Sequence, residues 1–184
     1  MTNQVTVLQD GENNFAITFL IGSKNTANIV QSGNNNSNVM VQLGQNNVIS
    51  STTLGGNNSL LSEQSGNVNS AQVLAFGNGN ASQVSQVGQS NTAHFSSFGN
   101  FNSFLSSQLG LENQLTGRVL GNYSQIVSGQ FTRHQNNRSS FIKQIDNFVH
   151  SLSGFSVPAG HGYSSRYVTH LDHPKHHSHS WFSY

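Results

Sequence analysis

Glycine recurs at Gly11, Gly22, Gly33, Gly44, Gly55, Gly66, Gly77, Gly88, Gly99, Gly110 and Gly121, a step of eleven residues held without a miss. Three places after each stands an asparagine, from Asn14 and Asn25 through Asn102 to Asn113, until Ser124 ends the series. A fixed period of this kind marks a repeat architecture in which each unit stacks on its neighbour. It overrides what composition alone suggests. With 34% hydrophobic residues, 7% charged residues and abundant Asn, Gln, Ser and Gly, the chain would otherwise be filed as low-complexity disorder.

An eleven-residue unit also fits three turns of a right-handed helical supercoil. Helix is opposed by a glycine in every unit, each costing about 1 kcal/mol against alanine, and by the many Asn, Ser and β-branched residues. The segment GxxN is turn chemistry: glycine accepts positive φ, and asparagine tolerates left-handed geometry or bonds its own backbone. What remains of each unit, for example VISSTTL at 48–54, has the length and composition of a strand.

The true repeat is twice as long. Two residues before glycine, Gln42, Gln64, Gln86 and Gln108 occupy alternate units, and Thr53, Ala75, Ser97 and Val119 stand between them. A strand-turn-strand-turn coil of twenty-two residues follows, stacked about 4.8 Å on the next in two parallel, in-register sheets. Alternation puts Asn47, Ile49, Ser51 and Thr53 on one face, assigned to the interior. A buried amide is costly when unpaired, but identical amides at strand spacing bond one another along the stack. The expected ladder rungs are Gln42, Gln64, Gln86, Gln108, Asn47, Asn69, Asn91 and Asn113. The expected turn glycines are Gly33, Gly44, Gly55, Gly66, Gly77, Gly88, Gly99 and Gly110. The fold class expected is all-β, a parallel two-sheet β-solenoid of about five coils over residues 4–127.

The string QxGxxNx(A/S), present as QSGNVNSA at 64–71 and QVGQSNTA at 86–93, resembles the curlin repeat of bacterial curli fibres. Looser copies are QLGQNNVI at 42–49 and LIGSKNTA at 20–27. The resemblance covers about residues 4–127 and implies a secreted subunit of an extracellular amyloid fibre. Such a subunit serves biofilm matrix and adhesion, has copies of itself as partners, and can meet a nucleating or secretion-pore protein. The chain departs from the family pattern in two columns. Asn36, Asn58, Asn80 and Asn102 stand where a Ser is usual, and Thr53, Ala75 and Ser97 where a second Gln is usual.

Other functions find little to work with. A net charge of +1 offers no footprint for nucleic acid or an anionic membrane. No run is long and apolar enough to span a membrane, and MTNQVTVLQD lacks the features of a secretory signal. Glycoside cleavage needs two neighbouring carboxylates, whereas the repeats hold only Asp10, Glu12, Glu63 and Glu112. A calcium-binding solenoid needs turn aspartates where these turns carry Asn. An ice-binding face needs a regular Thr array, and no three Thr fall in line at the coil step. With no cysteine there is neither a disulfide framework nor a thiolate zinc site. The chain is expected to be no enzyme and to need no cofactor. The alternative to a fibre subunit is a non-polymerising, capped solenoid acting as adhesin or spacer.

From residue 128 the character changes. Phe141, Ile145, Phe148 and Leu152 fall at helical spacing, with Ser139 or Ser140 placed as N-cap and Gly154 beyond the end. This pattern predicts a helix over about 139–152 that caps the last coil. A tail follows, rich in aromatics and in histidine (His161, His170, His173, His176, His177 and His179), whose spacing fixes no closed metal site.

Overall fold

The computed structural model describes residues 2–131, 138–145 and 152–153 of the protein. Each eleven-residue unit yields one strand, because its β-branched, Ser and Gln positions alternate inward and outward until the glycine bends the chain. One sheet holds β1 (Gln4–Asp10), β3 (Thr26–Asn34), β5 (Val48–Gly56), β7 (Ser70–Asn78), β9 (Thr92–Phe98) and β11 (Asn113–Leu120), in that order. The other holds β2 (Phe15–Ser23), β4 (Ser37–Gln45), β6 (Ser59–Asn67), β8 (Ala81–Gln89), β10 (Ser103–Leu111) and β12 (Gln125–Phe131). We call these the odd and even sheets. The chain is a parallel two-sheet β-solenoid of six coils, where the repeat leads one to expect about five.

All pairing is parallel, and in these twelve strands each residue stands opposite the one twenty-two positions on, as Gln64 does opposite Gln86 and Gly66 opposite Gly88. The residue two places after most of the glycines adopts the left-handed conformation, as in Asn46 (φ 55°), Asn57 (φ 56°) and Val68 (φ 58°). There its N–H donates to the preceding coil, as Asn57 does to the Asn34 carbonyl at 3.0 Å.

The core lies between the sheets. Asn47, Ile49, Ser51 and Thr53 of one unit are buried, while Val48 stays 40% exposed on the outer surface. Ile29, Met40, Ile49, Phe95, Phe104, Leu115 and Ile126 fill the interior along the stack. Phe95 and Phe104 face each other across the two sheets with ring centroids 3.6 Å apart. A Cβ at Gly117 would meet the Phe95 ring at 3.0 Å, so the smallest residue sits over the largest pair.

The C-terminal segment differs from expectation. Where the 3.6-residue pattern predicts a helix over 139–152, Arg138–Ile145 is a strand, β13, that pairs in parallel with β11. Leu152–Ser153 is a short strand, β14, against β12. Phe141, Ile145 and Leu152 therefore stand in strands added to the two sheets, and Phe148 lies outside the described residues. Asn113 stands opposite Arg138 and Val127 opposite Leu152, twenty-five positions on in both cases. The physical reason is the edge of β11. Its free backbone groups supply a ladder of hydrogen bonds to any neighbouring extended segment, and this outweighs a local helical pattern. The His-rich tail also lies outside the described residues.

Candidate functional site

The interior of this molecule is its chemistry. Among the even strands, Gln42 Nε2 donates to Gln64 Oε1 at 2.9 Å, Gln64 to Gln86 and Gln86 to Gln108 at 2.7 Å each, and Gln108 to Gln130 at 2.6 Å. The second hydrogen of each amide goes to the start of the strand across the core. Gln42 bonds Thr26, Gln64 bonds Val48, Gln86 bonds Ser70 and Gln108 bonds Thr92, all at backbone carbonyls 2.9–3.1 Å away. One side chain thus ties its own coil to the next and one sheet to the other.

The asparagines run the opposite way. Asn47 donates through both its backbone N–H (3.1 Å) and Nδ2 (3.2 Å) to Asn25 Oδ1 in the preceding coil. Its Nδ2 also reaches the Gly66 carbonyl in the following coil at 2.9 Å. Asn69 and Asn91 repeat this pattern, ending on Gly88 and Gly110. Asn113 continues it to Asn91 Oδ1 at 2.9 Å. Gly44, Gly66, Gly88 and Gly110 therefore each offer their carbonyl to a buried amide, which holds this turn in line.

A second asparagine column does the same work at the other turn. Asn58 donates to Asn36 Oδ1 and to the Gly77 carbonyl, and Asn80 to Asn58 Oδ1 and the Gly99 carbonyl. The expected rungs left out Asn36, Asn58, Asn80 and Asn102, which sequence reading took as turn asparagines and as departures from a family pattern. Their three-residue offset from glycine, identical to that of Asn47, was the signal that they form rungs too. In the column before the other turn, Thr53 and Ser97 serve differently. Asn38 Nδ2 donates to Thr53 Oγ1 at 3.2 Å and Ser51 Oγ to Asn38 Oδ1 at 2.8 Å, a polar contact across the core. Ser97 Oγ donates to Asn80 Oδ1 at 3.3 Å.

The glutamine ladder has a break at its N-terminal end. Register places Leu20 opposite Gln42, and Gln42 Oε1 is buried with no hydrogen-bond partner. Replacing Leu20 by Gln supplies the missing donor at the cost of some apolar contact. Leu20→Gln is expected to stabilise the solenoid by about 0.5–1.5 kcal/mol, the worth of one buried hydrogen bond. Urea unfolding checks this, with Leu20→Met as the apolar control that should leave the midpoint unchanged.

The ionisable groups of the repeats are scattered on the outside. Asp10 lies exposed on β1, Glu63 on the outer face of β6, and Glu12 and Glu112 in turns. Among the described residues no cluster of His, Asp and Glu is gathered as metal ligands, and no helix is long and apolar enough to cross a membrane.

The fold and its amide ladders define a class: a parallel β-solenoid whose coils are joined by repeated polar rungs. Residues 2–33 match the family model of the curlin associated repeat. The matched stretch holds one full coil and the start of the next, and the same spacing runs on to Asn113. Comparison with curated proteins and with solved structures found no match. Repeat and fold together are consistent with a structural subunit of the curli type.

Proposed function

We propose that the chain is a subunit that joins end to end with copies of itself into extracellular, curli-type amyloid fibres serving biofilm matrix and adhesion. One observation carries this reading. β1 is the edge strand of its sheet and is exposed along its length, yet its inward column repeats the chemistry of the core. Val5 and Val7 stand in register with the fully buried Ala27 and Ile29, but remain 49% and 45% exposed. A further coil laid on this edge removes that apolar surface from water and pairs the free strand groups. Residues 4–127 would supply the stacking unit and 128–184 a segment attached to it. A nucleating or secretion-pore protein at the cell surface would be the other partner.

The experiment is growth of the purified chain followed by thioflavin fluorescence and electron microscopy. Fibres with a meridional spacing of about 4.8 Å should form after a lag, and sonicated fibres should abolish the lag. A chain that stays monomeric in sedimentation, while circular dichroism shows it folded, would overturn the reading. That outcome would favour the capped adhesin or spacer, for which the pairing of β13 and β14 on the last coil is the supporting observation.

A further inference from the structure

The outward faces of the two sheets are unlike. The odd sheet presents amides and hydroxyls with Asp10, His94 and Arg118 among them, and an apolar column of Leu54, Phe76, Phe98 and Leu120 beside one turn. The even sheet, from β2 to β12, carries a single ionisable side chain, Glu63. Its exposed apolar side chains include Val87 of β8, Leu105 and Leu109 of β10 and Phe131 of β12, and they are densest on β2, where Phe15, Ile17, Phe19 and Ile21 fill the outward positions before Gly22. Phe15, Phe19 and Ile21 of β2 are 50%, 57% and 64% exposed, Leu43 of β4 is 39% exposed, and Val41 stands in register with Phe19. Scattered exposed apolar side chains need no explanation, but a contiguous patch next to a nearly uncharged face marks an interaction surface.

We propose that this face docks a second copy of the same chain, the two solenoids lying side by side and pointing the same way. The size fits. Six strands about 4.8 Å apart, each presenting about 23 Å of length, make a face of roughly 700 Å², so a pair buries on the order of 1,400 Å² in total. That falls within the range of stable specific interfaces. Direction follows from where the largest unbroken apolar run stands, at Phe15, Ile17, Phe19 and Ile21 of β2 and Val39, Val41 and Leu43 of β4. A two-fold axis parallel to the stacking direction sets β2 against β2 of the second copy and still overlaps all six strands. The antiparallel pairing would put the outward row of β2 against that of β12, where Gln125 and Gly129 alternate with Val127 and Phe131 and match it less well. In the co-directional pair the strands cross in opposite senses, so the column of Phe19, Val41 and Glu63 faces the column of Ile17, Val39 and Leu61. Glu63 of each copy then meets Leu61 of the other, and is the one charge per copy that the contact desolvates.

The test uses the freshly purified full chain. Sedimentation velocity over a concentration series should show a monomer–dimer equilibrium. The double variant Phe19→Asp with Val41→Asp should weaken it at least a hundredfold. Glu63→Gln should tighten it about tenfold, because it removes a buried charge, and Gln72→Asp on the odd sheet should leave it unchanged. Circular dichroism establishes that each variant is folded. The chain has no cysteine, so one engineered thiol reports position: Val41→Cys should form a covalent dimer with a short bismaleimide, and Gln72→Cys should not. A folded Glu63→Gln chain with unchanged association, or equal cross-linking at 41 and 72, overturns the proposal. So does uptake of the wild type onto phosphatidylcholine vesicles, lost in the double variant, with no dimer at any concentration; the face would then belong to a lipid surface. Dimers without fibres would uphold this proposal while the fibre reading falls, and single-width fibres without dimers would do the reverse.

Discussion

A Gly77→Val chain is expected to lose the solenoid rather than soften it. Gly77 has φ 118°, outside the range open to a residue with a Cβ, and a Cβ built there would overlap the carbonyl oxygen of Gly99 in the next coil. Neither coil can retreat. The Gly77 carbonyl accepts from Asn58 Nδ2 at 2.8 Å and the Gly99 carbonyl from Asn80 Nδ2 at 2.9 Å, while Gly77 itself is paired in register with Gly55. The cost combines backbone strain with broken rungs, and more than about 4 kcal/mol is expected. Gly79 makes the control. Its φ of 66° is the left-handed conformation that Asn35 and Asn57 adopt at the same place in neighbouring coils, and an added Cβ there would crowd only the ring of the exposed Phe101. Gly79→Asn should therefore stay within about 1 kcal/mol of the parent. Urea unfolding followed by circular dichroism ranks the two, and similar midpoints would refute the account of the turn.

Gln86→Leu should cost nearly as much, by a different route. The change conserves volume, so it isolates the loss of polar partners. Three buried groups lose theirs: Gln64 Nε2 loses its acceptor, Gln108 Oε1 its donor, and the Ser70 carbonyl the bond it receives at 3.0 Å. An unsatisfied buried group costs about 1–3 kcal/mol, so a total of about 3–5 kcal/mol is expected after partial relaxation. Ser97→Ala, in the column where glutamine gives way after Gln31 to Thr53, Ala75, Ser97 and Val119, removes a single 3.3 Å contact to Asn80 and should cost under about 1 kcal/mol. Amide hydrogen exchange would localise the effect: coils on both sides of Gln86 should lose protection, whereas Ser97→Ala should leave them protected. Equal losses for the two variants would mean that the amide ladder does not hold the coils.

The repeat was legible in the sequence because it is enforced at single positions. Only glycine can lie under the carbonyl of another turn, as Gly77 does under Gly99, so a slip of one residue would place a Cβ there in every coil. The strand period of two then sorts the remaining residues into inward and outward columns, which made Asn47, Ile49, Ser51 and Thr53 one set. The sense of the hydrogen bonds was not legible in the same way. That Gln64 donates toward the C-terminus while Asn69 donates toward the N-terminus depends on side-chain rotamers settled only when the coils are in contact.

Residues 138–145 show the same division most plainly. Their own pattern of Phe141 and Ile145 reads as one face of a helix, and nothing local contradicts it. In the fold they lie beside the open edge of β11, and become a strand because that edge offers a row of hydrogen bonds at the spacing of the sheet. The break at Leu20 is similar: the leucine is visible in the sequence, but the stranded Gln42 oxygen exists only where the coils stack. By itself the sequence determined the coil length, the register and the inward faces, since these follow from glycine sterics and strand alternation. The tertiary structure alone decided how the amides are wired, which rung lacks a partner and what the last segment becomes, since each depends on a neighbour about twenty residues away.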